Sequence, residues 1–177
     1  MNRAAKLAEE VLLLRCQVGD KNALTELIER HQRPLRYFIN RLLDDGELTE
    51  DILQDTWLSV IRRLHSLKEP DAFPTWLYRI ARNKVYHQLR KKKVLSVLSE
   101  DVAVPDENED DIVSLEDVAK VHKCLRELRP EHREVLMLRF LEQMSYQQMA
   151  KVLDCNPGTV KSRVYYAKRA LKKELEK

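Results

Sequence analysis

The sequence predicts an all-α protein of two small helical domains joined by an acidic flexible linker. Three observations carry that prediction. Glycine is scarce, three in 177 residues, while the good helix formers Leu, Glu, Lys, Arg and Gln are abundant. Apolar residues recur at the i, i+3, i+4 spacing of amphipathic helices along most of the chain. Charge is partitioned: residues 1–93 carry 18 basic and 13 acidic side chains, 94–117 carry none and nine, and 118–177 carry 14 and seven. The net charge of +3 therefore hides two basic bodies and an acidic connector.

The elements follow in order. After Gly19, Asp20 caps a helix whose stripe is Ala23, Leu24, Leu27, Ile28, Leu35, Phe38, Ile39, Leu42 and Leu43. Pro34 lies inside it and predicts a kink or short break. A turn at Asp44, Asp45 and Gly46 leads to a helix capped by Thr49, with Ile52, Leu53, Trp57, Val60, Ile61 and Leu64 on its inner face. Two prolines make 65–74 a loop. A long helix over 75–93 then buries Leu77, Ile80, Ala81, Val85 and Leu89. Periodicity is lost where Asp and Glu accumulate, so the domains are 1–93 and 115–177 with a linker at 94–114. The second domain reads as helices at 115–128, 131–142, 145–153 and 157–174.

Several functional classes are excluded at this level. No apolar run approaches the roughly 18–20 residues that span a bilayer, so membrane insertion is not expected. Glu9 and Glu10 ahead of a short apolar stretch at 11–14 do not make a signal peptide. Cys16, Cys124 and Cys155 are odd in number, far apart and without C-x-x-C spacing, so neither a disulfide framework nor a zinc site is indicated. No metal or cofactor is expected, and a reducing cytoplasm is the expected compartment. The carboxylates cluster away from any histidine pair, which argues against an acid–base catalytic centre.

The sharpest local pattern is C-terminal. Ser145 and Gln148 form a capping box, and Asp154, Cys155 and Asn156 make a tight turn. Asn156 then caps a helix with Pro157 at its first position. Short helix, turn and longer basic helix is the helix-turn-helix layout. In the second helix Val160, Val164, Ala167 and Leu171 face inward. Thr159, Lys161, Ser162, Arg163, Tyr166 and Arg169 project outward, with further lysines at 168, 172 and 173. Hydroxyl and guanidinium groups near a helix N-terminus suit base edges, and lysines suit phosphates. A solvated charged helix is the plainer alternative, weakened by the absence of any acid from 156 to 173.

The N-terminal domain carries a second basic element. No acid occurs from 72 to 93, residues 79–93 hold seven Lys or Arg, and the aromatics Phe73, Trp76, Tyr78 and Tyr86 are spread along the segment. Basic groups track a phosphate backbone and aromatic faces stack unpaired bases, so Trp76, Arg79, Arg82, Tyr86, Arg90 and Lys91 suit single-stranded nucleic acid. The alternative puts Trp76 and Tyr78 in the core with a solvated helix end beyond them. On the preceding helix Asp51, Gln54, Asp55, Leu58 and Arg62 share an outward polar face, and a leucine within it hints at a protein partner.

The segments TEDILQDTWLSVIRRL, FPTWLYRIARNKVYHQLRKKK and LRELRPEHREVLMLRFLEQMSYQQMAKVLDCNPGTVKSRVYYAKRAL resemble, in this order, bacterial RNA polymerase sigma factors. The chain looks like the extracytoplasmic-function (ECF) subfamily, which keeps only the domains called region 2 and region 4. The resemblance implies a transcription initiation factor with no catalytic activity of its own. Asp51, Gln54, Asp55, Leu58 and Arg62 would dock on the β′ clamp helices of core RNA polymerase, and the C-terminal domain would meet the β flap. The 66–72 loop with Trp76, Arg79, Arg82, Asn83, Tyr86, Arg90 and Lys91 would open the −10 promoter element and capture a flipped base. Thr159, Lys161, Ser162, Arg163, Tyr166 and Arg169 would read the −35 element as duplex. The acidic linker would run through polymerase, and an anti-sigma factor would regulate the protein.

Two positions depart from the family pattern. The long helix has His87 where an Asp is usual between Asn83 and Arg90, which bears on promoter preference. The helix-turn-helix turn has Asp154 where Gly is usual; Asp tolerates the left-handed conformation, so the turn should form. A polymerase-independent helix-turn-helix regulator would explain residues 118–177 but leaves the basic, aromatic 72–93 segment without a role.

Overall fold

Every regular element among the described residues is a helix or a helical turn. The structure, a computed structural model, describes residues 3–96 and 115–177, with side chains described at 7–91 and 120–177. The helices are α1 (Arg3–Gln17), α2 (Lys21–Leu43), α3 (Gly46–Arg63), α4 (Phe73–Ser96), α5 (Leu115–Glu127), α6 (Pro130–Leu136), α7 (Tyr146–Leu153) and α8 (Pro157–Leu175). Two 3-10 turns, Leu64–Ser66 and Pro70–Ala72, lie between α3 and α4, and α6 runs on as a π turn at Met137–Leu141. The linker expected at 94–114 begins within the last turn of α4 and from residue 97 lies outside the described residues.

No stripe marks α1 in the sequence, because its two buried leucines, Leu12 and Leu13, are adjacent rather than a turn apart. Asp20 caps α2 as expected, accepting from the amides of Asn22 at 2.9 Å and Ala23 at 3.1 Å. Of the kink or short break expected at Pro34, the break does not occur. Leu27 on one side of it and Leu35 and Phe38 on the other are all buried, and this packing holds the backbone helical across the missing hydrogen bond. Asp45, not Thr49, caps α3, its side chain accepting from the Leu48 amide at 3.1 Å. Thr49 is buried one turn inside, its hydroxyl donating to the Asp45 carbonyl at 2.7 Å. Ile61 leaves the inner face of α3 and is 44% exposed, because the helical turn places it beside Leu58 rather than beside Val60.

α1 to α4 form one bundle and α5 to α8 another, as the periodicity predicts. The two do not stand apart. α4 packs on α7 and α2 on α6, so one apolar core runs through both bundles. No feature of the sequence announces this contact, and it positions much of the candidate site.

Candidate nucleic-acid interface

The helix-turn-helix is built by local chemistry. Ser145 and Gln148 close a reciprocal capping box: the Ser145 amide donates to Gln148 Oε1 at 2.9 Å and the Gln148 amide to Ser145 Oγ at 3.2 Å. Asp154 takes the left-handed conformation at φ 53°, and the Cys155 amide donates to the Ala150 carbonyl at 3.2 Å. Asn156 Oδ1 then accepts from the Thr159 amide at 2.9 Å and starts α8.

Val160, Val164 and Ala167 are buried, and Leu171 is half-buried against the core. Lys161, Ser162, Tyr166 and Arg169 are exposed on the opposite side. Thr159 is half-buried, with its hydroxyl committed to Asn156 at 3.2 Å, and Arg163 is also half-buried. Tyr165, which the sequence pattern passes over, is 57% exposed beside Tyr166, and the Arg169 guanidinium lies 5.8 Å from its ring centroid. The adjacent tyrosine pair in an otherwise polar stripe is the signal that marks it.

On α3, Asp51, Gln54, Asp55 and Arg62 are exposed and Leu58 is 45% exposed. Beside them runs a shallow groove of about 270 Å³ between α2 and α3, lined by Ile28, Arg36, Glu50, Trp57 and Ile61 together with Gln54 and Leu58. Arg36 pairs with Glu50 across it at 2.7 Å. The groove residues on α2 are the part of this face that sequence reading misses, because they sit on a stripe that otherwise packs inward. Asp55 also joins α3 to α4 through Lys84 at 2.6 Å.

α4 divides into three parts. Phe73, Leu77, Tyr78, Ala81 and Val85 are core. Arg79, Asn83, His87, Arg90 and Lys91 are exposed, while Trp76 is half-buried with its ring centroid 6.3 Å from that of Phe73. Arg82 and Tyr86 are half-buried and turn to Glu134 of α6. Arg82 Nε donates to Glu134 Oε1 at 2.8 Å and the Tyr86 hydroxyl to Oε2 at 3.3 Å. The Arg82 guanidinium also lies 4.5 Å from the Tyr86 ring centroid.

The Glu134 side chain is only 1% exposed. Burial raises its pKa, partly offset by Arg82, by Tyr86 and by the charge of Arg163. Burial and then Glu134 push the Tyr86 phenol up to about 12. A second carboxylate at the same contact, Glu142, is raised by burial and drawn partly back by the Tyr78 hydroxyl beside it. At the far edge Arg133 donates to the Arg41 carbonyl at the end of α2, and Arg41 meets His122 Nδ1 at 2.9 Å.

The arrangement thus offers an exposed basic helix with no acid from 157 to 173, a basic and aromatic helix partly covered by its neighbour, and a polar face with an apolar groove. Among the described residues no cluster of His, Cys, Asp or Glu has the form of a metal site, and no helix is long and apolar enough to cross a membrane.

Comparison with known proteins places both halves. Residues 27–94 match the family description "Sigma-70 region 2" and residues 119–171 match "Sigma-70, region 4". The RNA polymerase sigma-H factor of Pseudomonas aeruginosa is 32% identical over 181 residues, covering 95% of this chain and 94% of that protein. The ECF RNA polymerase sigma-E factor of Escherichia coli (strain K12) is 28% identical over 184 residues, covering 97% and 96%. Among solved structures, the sigma factor RpoE in complex with the anti-sigma factor NepR from Bartonella quintana superposes with a TM-score of 0.76 at 28% identity, covering 86% of this chain and 96% of that one. CnrH in complex with the cytosolic domain of CnrY shares the fold, with a TM-score of 0.70 at 24% identity and coverage of 96% and 97%. With a region 2 bundle, a region 4 helix-turn-helix and relatives aligned over nearly their whole length, the chain belongs to the ECF subfamily of bacterial RNA polymerase sigma factors.

Proposed function

We propose that this sigma factor binds core RNA polymerase and directs promoter-specific initiation by reading the −35 element as duplex and opening the −10 element. The chemistry of RNA synthesis belongs to polymerase; the sigma factor supplies recognition. The observation that carries the reading is the fully capped helix-turn-helix with Lys161, Ser162, Tyr166 and Arg169 on the open face of α8.

The finer assignments rest on the family resemblance, with geometry and charge in support. Residues 1–93 are the polymerase-binding and −10 domain, and 115–177 the −35 domain. The connector at 94–114, with seven acidic and no basic side chains, suits a basic surface of polymerase. Gln54 and Leu58 line the α2–α3 groove and, with the exposed Asp51, Asp55 and Arg62, form the face for the clamp helices of polymerase β′. Arg79, Asn83, Arg90 and Lys91 track the −10 backbone from the exposed side of α4, with Trp76, Arg82 and Tyr86 joining them where unpaired bases stack. Thr159 and Arg163 complete the −35 face. The work is done in the cytoplasm, where polymerase is, and an anti-sigma factor is the expected regulator, supported by the likeness to a sigma factor solved with one.

Run-off transcription with core polymerase on a promoter library tests the reading. Specific starts are expected with wild type and their loss with Asp51→Arg plus Asp55→Arg. Absence of starts on every template refutes it.

A further inference from the structure

α1 is braced at its C-terminal end. Arg15 reaches the cap of α2, its Nη2 donating to Asp20 Oδ2 at 2.7 Å and its Nε to the same oxygen at 3.0 Å. Gly19 turns the chain at φ +89°. The last residue of this braced helix, Gln17, points away from α2 and into the far end of α3. Its single amide nitrogen donates to two main-chain carbonyls, Leu64 at 3.0 Å and Leu67 at 2.7 Å.

Those carbonyls bound the 3-10 turn Leu64–Ser66, which the Leu67 amide closes onto the Leu64 carbonyl at 3.1 Å. Leu64 is buried and Leu67 packs on the core, so both ends of the turn are anchored. α1 also packs on the second turn, Pro70–Ala72, whose far side is held by the buried Phe73. The Leu64 carbonyl thus accepts twice, from its own turn and from a side chain 47 residues away, and the same side chain reaches the Leu67 carbonyl from 50 residues away. Both N–H groups of one amide are spent on setting where the 66–72 loop leaves α3.

We propose that Gln17 is a positioning residue for −10 recognition, its amide fixing the take-off of the 66–72 loop so that the loop meets the captured base in one register. This rests on the reading of that loop as the base-capturing one. Gln17 touches no nucleic acid itself; it acts through the Leu64 and Leu67 carbonyls.

The test is transcription by the holoenzyme, full-length chain with core polymerase, on templates randomised across the −10 element. The quantity read is the ratio of starts on the preferred base to starts on the other bases at each position. Gln17→Leu keeps the bulk of the side chain and removes both donors. It is expected to lower the ratio at the captured base by about fivefold, in keeping with the loss of ordinary hydrogen bonds. Gln17→Lys, which keeps donors at similar reach, is expected to restore most of it.

A merely structural role lowers starts on all templates together and leaves the ratio unchanged, and that result overturns the proposal. Lys68→Ala, within the loop, separates the remaining failures. If Lys68→Ala moves the preference and Gln17→Leu does not, the loop reading stands and the role of Gln17 is refuted. If neither moves it, the loop is not the reader and the proposal falls with it. Circular dichroism of each variant establishes that the helices are intact; should Gln17→Leu fail to fold, Gln17→Glu, which turns an acceptor toward the two carbonyls, is read in its place with the same criteria.

Discussion

Replacing Glu134 by lysine is expected to separate the two helical bundles. In the closed arrangement the Glu134 carboxylate is 1% exposed and accepts from Arg82 Nε at 2.8 Å and from the Tyr86 hydroxyl at 3.3 Å. Opposite unit charges about 4 Å apart attract by on the order of 4 kcal/mol at an effective dielectric of about 20. Arg82 keeps 17% of its side chain in water, which weakens that attraction. Reversing the charge of Glu134 removes it and adds a repulsion, so a loss of roughly 3 kcal/mol is a conservative figure. It falls on the closed form alone, because in separated bundles both cations reach water. The closed-to-separated ratio therefore drops by roughly a hundredfold. Small-angle scattering on the full chain reads this as a larger radius of gyration with helicity retained, and Arg82→Glu combined with Glu134→Lys should bring the compact form back. A Glu134→Lys chain as compact as wild type, or a double variant that stays extended, refutes the reasoning.

Because burial raises Glu134 and Glu142, the folded chain binds protons more tightly than the unfolded one. Stability through these groups strengthens as pH falls through their raised pKa values and is weakest above them. Thermal melting across a pH series should show that slope, flattened in Glu134→Gln, whose amide does not titrate. His122 has the opposite sign: burial, then Arg41 and Arg126, lowers it from 6.5, so its contribution is present above that value and lost as pH falls below it. His122→Gln should therefore make the low-pH side more stable. On DNA, Arg163→Ala should reduce discrimination at the −35 element, whereas Lys168→Ala should weaken binding to all sequences alike; equal sequence-blind effects would mean that another face of α8 enters the groove. Asp154→Gly relieves a side chain at φ 53° and should stabilise the C-terminal bundle by about 0.5–1 kcal/mol, seen as a higher melting temperature.

The helix-turn-helix was legible almost residue by residue. Its capping box, its left-handed Asp154 and its Asn156 cap each depend on partners within five positions in the chain. The same holds for the exposed face of α3 and for the basic run of α4, which follow from composition and helical period. Misreadings arose where neighbours in space outvoted neighbours in sequence. Packing on both sides of Pro34 kept α2 intact, Asp45 captured the cap that Thr49 was expected to make, and Ile61 turned to the groove. α1 escaped notice because its buried leucines are consecutive.

By itself the sequence determined the helical class, the two-part division, the charge on each part and the identity of the family. All of these rest on residue type and short-range spacing, which helix formation reads directly. Only the tertiary structure decided which of the candidate side chains stand open. Glu134 covers Arg82 and Tyr86 from 52 and 48 residues away, and Gln17 reaches Leu64 and Leu67 from 47 and 50. Contacts over such separations have no period and no motif. They come from how two amphipathic surfaces bury their apolar stripes against each other, and the polar groups caught at that boundary must then find partners there, because an unpaired charge or carbonyl out of water costs too much free energy to persist.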